Sequence, residues 1–170
     1  HDAPAILWTI DLDDRGDVAD VTVGRALVRN RRALTYEGAQ QALDAGSTDE
    51  QIRALEEVGR LRIEREVERG GVSLELPEQS VSRVDDQYEL RYDPALDVER
   101  WNAQLSLCCG MAAADLMVGA GTGIVRTLPK AEPEAIDQLR RHSAALGVPW
   151  PDGLDYPRWV RTLDPSTDKG

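Results

Sequence analysis

Cysteine and histidine are both scarce in this 170-residue chain, with two of each. Cys108 and Cys109 are adjacent, and neighbours in one helix point in different directions, which excludes a strain-free disulfide between them. With no second cysteine pair and two histidines, zinc-ligand spacing is absent as well. The thiols read as a buried pair in a reducing, cytoplasmic compartment. Long apolar runs are also missing. The longest uncharged stretch, 101–114, includes Asn102, Gln104 and Ser106 and is too short to span a bilayer, so a soluble chain without a membrane partner is expected. No basic leader with an apolar run precedes the first elements, so no secretory signal is visible. Positive charge is in deficit too. Twenty Lys and Arg against 31 Asp and Glu leave a net charge of −11, which argues against general affinity for nucleic acid. The basic residues are nonetheless clustered in one place, with Arg25, Arg29, Arg31 and Arg32 within eight residues.

The length suffices for one domain with a proper core. A chain that starts at His1 and ends Asp168-Lys169-Gly170 is expected to be a piece of something longer. Apolar, β-branched runs at 5–10 and 19–29 flank Asp13-Asp14-Arg15-Gly16-Asp17, whose Asp and Gly predict the turn of an antiparallel hairpin. Thr35 predicts an N-cap for a helix through Asp44, with Glu37 complementing the dipole and Gly46 ending it. Ser47 or Thr48 is expected to cap a second helix running to about Arg69. There Ile52, Leu55, Val58, Leu61 or Arg62, and Val67 recur at helical spacing, and Glu56 with Arg60 and Arg62 with Glu66 are placed to pair on the wet face. Gly70-Gly71 closes it. A short strand is expected at 72–76, then a hairpin of 80–84 and 87–92 around Asp85-Asp86. The most apolar helix, from 98 to about 118, is expected to be buried on most sides. After Gly119, Gly121 and Gly123 come a buried strand at 124–127, a helix at 134–146 closed by Gly147, and an extended tail at 148–170 with one helical turn near 156–160. Strands and helices mix without a βαβ rhythm. The expected class is α+β: largely antiparallel strands and hairpins packed against several helices, one of them long and buried.

Several motifs tempt and fail. Asp11-Leu12-Asp13-Asp14 has the carboxylate density of a two-metal site, but Arg15-Gly16 closes a turn directly behind it, so the turn reading is preferred. As a calcium loop the same segment places Arg15 at position five and Thr22 at position twelve, which rejects it. His142 lies beside Arg140 and Arg141 with no carboxylate–serine setting around it. Gly119-Ala120-Gly121-Thr122-Gly123 follows a helix and precedes a strand, the reverse of a phosphate-cradling loop.

What holds is a series: Leu34-Thr35-Tyr36; a helix with Arg62 and Arg65 leading to Gly71, Leu74, Leu76, Pro77 and Glu78; the long apolar helix; then Arg126 on a strand that passes through proline into a helix. Over residues 4–151 this order and spacing resembles the second half of the RNB catalytic domain of ribonuclease II and ribonuclease R, which degrade RNA from its 3′ end. The resemblance implies part of a magnesium-dependent 3′-to-5′ exoribonuclease that hydrolyses single-stranded RNA to nucleoside monophosphates. DNA is not expected as a partner. The carboxylates that hold Mg2+ in the family would lie upstream of His1, so this chain is expected to contribute no catalytic or metal-ligating residue, to bind no metal alone, and to be inactive alone.

By the same resemblance, Tyr36 matches a tyrosine that contacts the 3′-terminal nucleotide, and a ring with a hydroxyl suits stacking plus a polar contact. A helix-start tyrosine packed on the core is the other reading of that residue. Where the family has Glu-Glu the chain has Asn102-Ala103-Gln104, amides that hydrogen-bond but cannot neutralise a cation. Cys108-Cys109-Gly110 replaces Ala-Asn. Arg126 is kept while Leu128 replaces a histidine; Arg126 is read as anchoring either a phosphate or a carboxylate of the core. The expected substrate-binding residues are therefore Tyr36, Asn102, Gln104 and Arg126, with Tyr36 and the N-terminal part of the long helix expected to come together and line a cleft for the last nucleotide. The departures keep a second reading open, a degenerate RNB-like module that binds RNA or a protein without hydrolysis.

Overall fold

A computed structural model describes residues 1–46, 49–74, 78–93, 95–127 and 129–163. Two antiparallel hairpins and five helices follow one another: β1 (Ala3–Leu12), β2 (Val18–Val28), α1 (Tyr36–Asp44), α2 (Glu50–Glu68), β3 (Glu78–Val84), β4 (Gln87–Asp93), α3 (Asp97–Gly119), α4 (Pro133–Ala145) and α5 (Tyr156–Val160). The class is α+β, as the mixed pattern predicts, with each sheet two-stranded. The described residues gather into two compact units, one from His1–Arg65 with Leu96–Val125 and the other from Glu66–Ala95 with Arg126 onward.

The first unit begins with the predicted hairpin. Ala3 to Asp11 pair in register with Val28 to Asp20, and the register shifts between Asp11 and Leu12. The turn is built by Asp13, whose Oδ1 accepts from the Arg15 and Asp17 amides at 2.9 Å each. Gly16 supplies the left-handed backbone (φ +80°) the turn requires. It also allows a close approach, since a Cβ there would lie 2.8 Å from Leu61 Cβ on α2. Arg62 Nη1 donates to the Gly16 carbonyl at 2.7 Å, and Arg65 Nη1 lies 3.6 Å from Asp17 Oδ2. Asp13 is thus committed to local turn chemistry, in line with the turn reading of the Asp11–Asp14 cluster.

The turn amides, that of Asp17 first, hold the Asp13 carboxyl below its usual range. A lowered folded-state value means that the ionised form stabilises the turn above the ordinary carboxylate range, and that this contribution is lost as pH falls through the folded value. Asp13→Asn is expected to flatten that acid limb. Urea titrations from about pH 5 down to about pH 2 should show wild-type protein losing stability that the variant keeps; parallel curves would assign the limb to other carboxylates.

On α2 the expected wet-face pair of Glu56 and Arg60 forms, at 2.8 Å. The other expected pair does not sit on a wet face. Arg62 is 2% exposed and Glu66 is buried, whereas Val67, placed in the apolar stripe by its spacing, is exposed. For the arginines the reason is long-range: the hairpin turn draws Arg62 to its carbonyl and Arg65 to its carboxylate, while Glu66 accepts from Ser73 Oγ at 2.7 Å. Ser47 and Thr48, the expected caps, lie outside the described residues. Asp49 meets the first turn, accepting from the Gln51 amide at 3.1 Å. The helix ends where predicted, with Gly70 at φ +74° and the Gly71 amide donating to the Glu66 carbonyl at 2.9 Å.

The centre of the first unit is Ala39, Val98 and Trp101, packed by Leu43, Leu55, Ile63 and Leu96. The long helix α3 buries one stripe, Val98, Trp101, Gln104, Cys108 and Ala112. Burial on most sides is not what the described residues show: Leu107, Met111, Leu116 and Val118 are exposed. An uncharged sequence records low polarity on every face, and among the described residues one face finds a partner.

In the second unit, β3 and β4 pair from Glu78↔Asp93 to Val84↔Gln87 around Asp85-Asp86, as predicted, with Asp85 at φ +54°. The strand expected at 72–76 is not formed over 72–74, while 75–77 lie outside the described residues. The strand expected at 124–127 is absent as well. Those residues are irregular and Ile124 is 91% exposed, because a short β-branched run without a partner strand has no ladder to join. Helix α4 opens on Pro133 and is followed by Gly147 at φ +69°. Residues 148–163 then fold back on themselves. Trp150 stacks on Trp159 at 3.9 Å between ring centroids, with the Arg140 guanidinium 4.3 Å from the Trp150 ring centre.

Candidate functional site

Three helix starts in the first unit converge on one cleft. Thr35 Oγ1 accepts from the Gly38 amide at 3.1 Å and so places Tyr36 as the first residue of α1. Asp49 fixes the start of α2 in the same way. The start of α3 is held by Glu99, which accepts from the Leu96 amide at 2.8 Å, and by Gln40 of α1, which accepts from the Val98 amide at 3.3 Å. Asn102 stands one helical turn beyond Val98 and therefore on the same face. Its Nδ2 donates to the Tyr36 hydroxyl at 2.9 Å. The cleft, about 320 Å³, is lined by Leu34, Thr35, Tyr36, Ala39, Gln51, Ile52, Leu55, Val98 and Asn102.

No charged side chain is in that lining. Tyr36 as a residue is 44% exposed where it lines the cleft, which leaves it accessible to a flat partner. Because the phenol oxygen accepts from Asn102, its own proton stays available for donation to a ligand oxygen. Such a cleft suits an aromatic base with a polar edge. Two arginines upstream of Leu34 are ion-paired. Arg32 Nη2 bonds Asp49 Oδ2, and the Arg32 guanidinium, followed by the first α2 amides, holds the Asp49 carboxyl below its usual range. Arg29 bonds Asp2 at 2.5 Å. Of the four clustered arginines, Arg25 and Arg31 have no acidic partner among the described residues. Among the described residues no three His, Cys, Asp or Glu groups converge, and with Asp13 bound to turn amides the Asp11–Asp14 segment does not fit a Mg2+ site.

A family model of the RNB domain matches residues 1–157. The chain belongs to the RNB domain family. No curated protein sequence matches it. Among solved structures it is similar to RNase R of Mycoplasma genitalium. The apo form gives a TM-score of 0.78 at 14% identity, over 96% of this chain and 26% of that one. The complex with ribose-methylated single-stranded RNA gives 0.77 at 14%, over 95% and 27%. The complex with double-stranded RNA gives 0.76 at 14%, over 95% and 31%. The chain thus spans about a quarter to a third of the length of those RNase R chains.

Within this RNB fold the residues singled out from sequence separate. Tyr36 and Asn102 come together. Gln104 does not join them: it is 4% exposed in the buried stripe of α3, about 200° around the helix from Asn102. Arg126 lies in the second unit, exposed, on irregular backbone rather than at the end of a buried strand, with no ion pair among the described residues. Leu128 lies outside the described residues. Gln51 and Val98 line the cleft but carry no motif, and Ile52 and Leu55 look like ordinary core positions in the α2 pattern. The available signal was the set of capped helix starts, since a residue just inside a helix start lies at an open end.

Proposed function

We propose that this chain is the C-terminal portion of an RNB catalytic domain in a magnesium-dependent 3′-to-5′ exoribonuclease that hydrolyses single-stranded RNA to nucleoside monophosphates. Here it supplies scaffold and the wall of the 3′-terminal nucleotide pocket. The observation that carries this reading is the Tyr36–Asn102 hydrogen bond in an uncharged cleft. The ring stacks on the terminal base, the phenol proton bonds a sugar or phosphate oxygen, and Asn102 orients the phenol. Arg126 is a second contact for the strand. Since the Asp11–Asp14 segment does not fit a metal, the Mg2+ ligands belong to other parts of the protein. RNA as partner, rather than DNA, is supported by the RNase R relatives, two of which hold RNA. The free thiols Cys108 and Cys109 favour the cytoplasm, and no described helix is long and apolar enough to cross a membrane.

A second reading, a module that binds RNA without cleaving it, is favoured by one feature. The family's Glu-Glu position holds Asn102-Ala103-Gln104, and Gln104 is turned into the core. One experiment separates the two. The whole protein with 5′-labelled single-stranded RNA and Mg2+ should shorten the strand to mononucleotides, and Tyr36→Ala should weaken RNA binding about tenfold while Tyr36→Phe keeps most of it. Tyr36-dependent binding without shortening selects the second reading. RNA binding indifferent to Tyr36→Ala removes both.

A further inference from the structure

The cleft has no charged lining, yet a nucleotide brings a phosphate. Three arginines stand within two residues of its lining, Arg32, Arg53 and Arg100; Arg32 comes two residues before Leu34, and its ion-pair partner Asp49 comes two residues before Gln51. The ion pair therefore ties together the two chain segments that enter the cleft wall. We propose that Asp49 holds Arg32 in reserve as the phosphate-binding residue of this cleft, and that the phosphate of a bound nucleotide takes the carboxylate's place on the guanidinium. The inference rests on the reading of the cleft as a nucleotide pocket.

Three features favour the exchange. A guanidinium fits carboxylate and phosphate with the same two-pronged geometry, and phosphate offers more charge. The guanidinium is reachable by an incoming anion: the Arg32 side chain is 52% exposed, against 22% for that of Asp49. Both residues also have anchors that survive the exchange. Asp49 still accepts from the Gln51 amide at 3.1 Å at the α2 N-terminus, where a carboxylate is favoured. The Arg32 amide still donates to Asn30 Oδ1 at 3.0 Å, so the side chain pivots on a fixed backbone.

The test compares a nucleoside 5′-monophosphate with its nucleoside in equilibrium binding to the whole protein. Asp49→Asn keeps a capping side chain and removes the competing charge. It is expected to tighten monophosphate binding about two- to fivefold and leave nucleoside binding unchanged. Arg32→Gln should lower the monophosphate to the affinity of the nucleoside, and Asp49→Asn should give no gain in the Arg32→Gln background. Equal gains in both backgrounds, or nucleoside and monophosphate moving together, would overturn the inference and leave the pair a brace of the cleft wall. Insensitivity of both ligands to Tyr36→Ala is a different result, since it removes the nucleotide pocket and this inference with it.

Discussion

Gly59→Ala is expected to destabilise the protein by about 3 kcal/mol and to open the candidate cleft. Alanine is the better helix former by about 1 kcal/mol, so in an exposed helix interior the same change would stabilise. Here sterics decide the sign. An added Cβ would lie 2.3 Å from both Cβ and Cγ of Trp101 and 2.5 Å from Cδ1. Trp101 is buried in the small core with Ala39 and Val98, so the indole has nowhere to retreat and α3 must move off α2. Val98 and Asn102, which flank Trp101 on the same helix, move with it, and the Tyr36–Asn102 bond lengthens. Urea denaturation followed by tryptophan fluorescence measures the first effect, and nucleotide affinity the second. Trp101→Leu, which removes the clashing ring, should recover part of the loss in the Gly59→Ala background even though it leaves a cavity on its own. A Gly59→Ala protein as stable as wild type would mean that the two helices are not held at this separation.

The elements legible from sequence are those whose signals are local. Asp13 through Gly16 set a turn, Asp85-Asp86 another, Thr35 begins a helix, and Pro133 with Gly147 brackets one. Each acts within a few residues, so spacing alone locates it. The strands expected at 72–76 and 124–127 do not form over their described residues, for the opposite reason. A β-branched run becomes a strand when a partner lies beside it, and partners are set by the whole fold. Arg62 is the clearest case: four-residue spacing to Glu66 is true of the helix, but which face is wet depends on a hairpin turn 46 residues away. At the site, it is the family resemblance that brings Tyr36 to the start of the long helix; the contact with Asn102 spans 66 residues and no periodicity encodes it. Gln104 was open to correction in advance, because two residues along a helix turn a side chain to the other side. The lack of charge between 101 and 114 obscured that, making every face of α3 look equally apolar.

Arg62→Ala is expected to cost about 3 kcal/mol, lowering Tm by about 9 °C for a chain of this size, although no catalytic role is assigned to it. Arg62 is almost fully buried, and its Nη1 donates to the Gly16 carbonyl at 2.7 Å, with Nη2 3.8 Å from Met111 Sδ. Removing it leaves that carbonyl inside the protein without its donor and a void between α2, α3 and the hairpin turn. Arg62→Met separates the two terms. It refills the volume and gives up the charge, and Nε has no hydrogen-bond partner among the described residues, so part of the desolvation penalty disappears with the guanidinium. The methionine variant should therefore recover about half of the alanine loss. Hydrogen exchange at the Asp13–Asp17 amides should quicken in both variants, because both lose the donor that holds the turn on α2. Wild-type melting of Arg62→Ala would show that the close approach of Gly16 to Leu61 is enough to dock the turn and that the buried cation adds nothing to it.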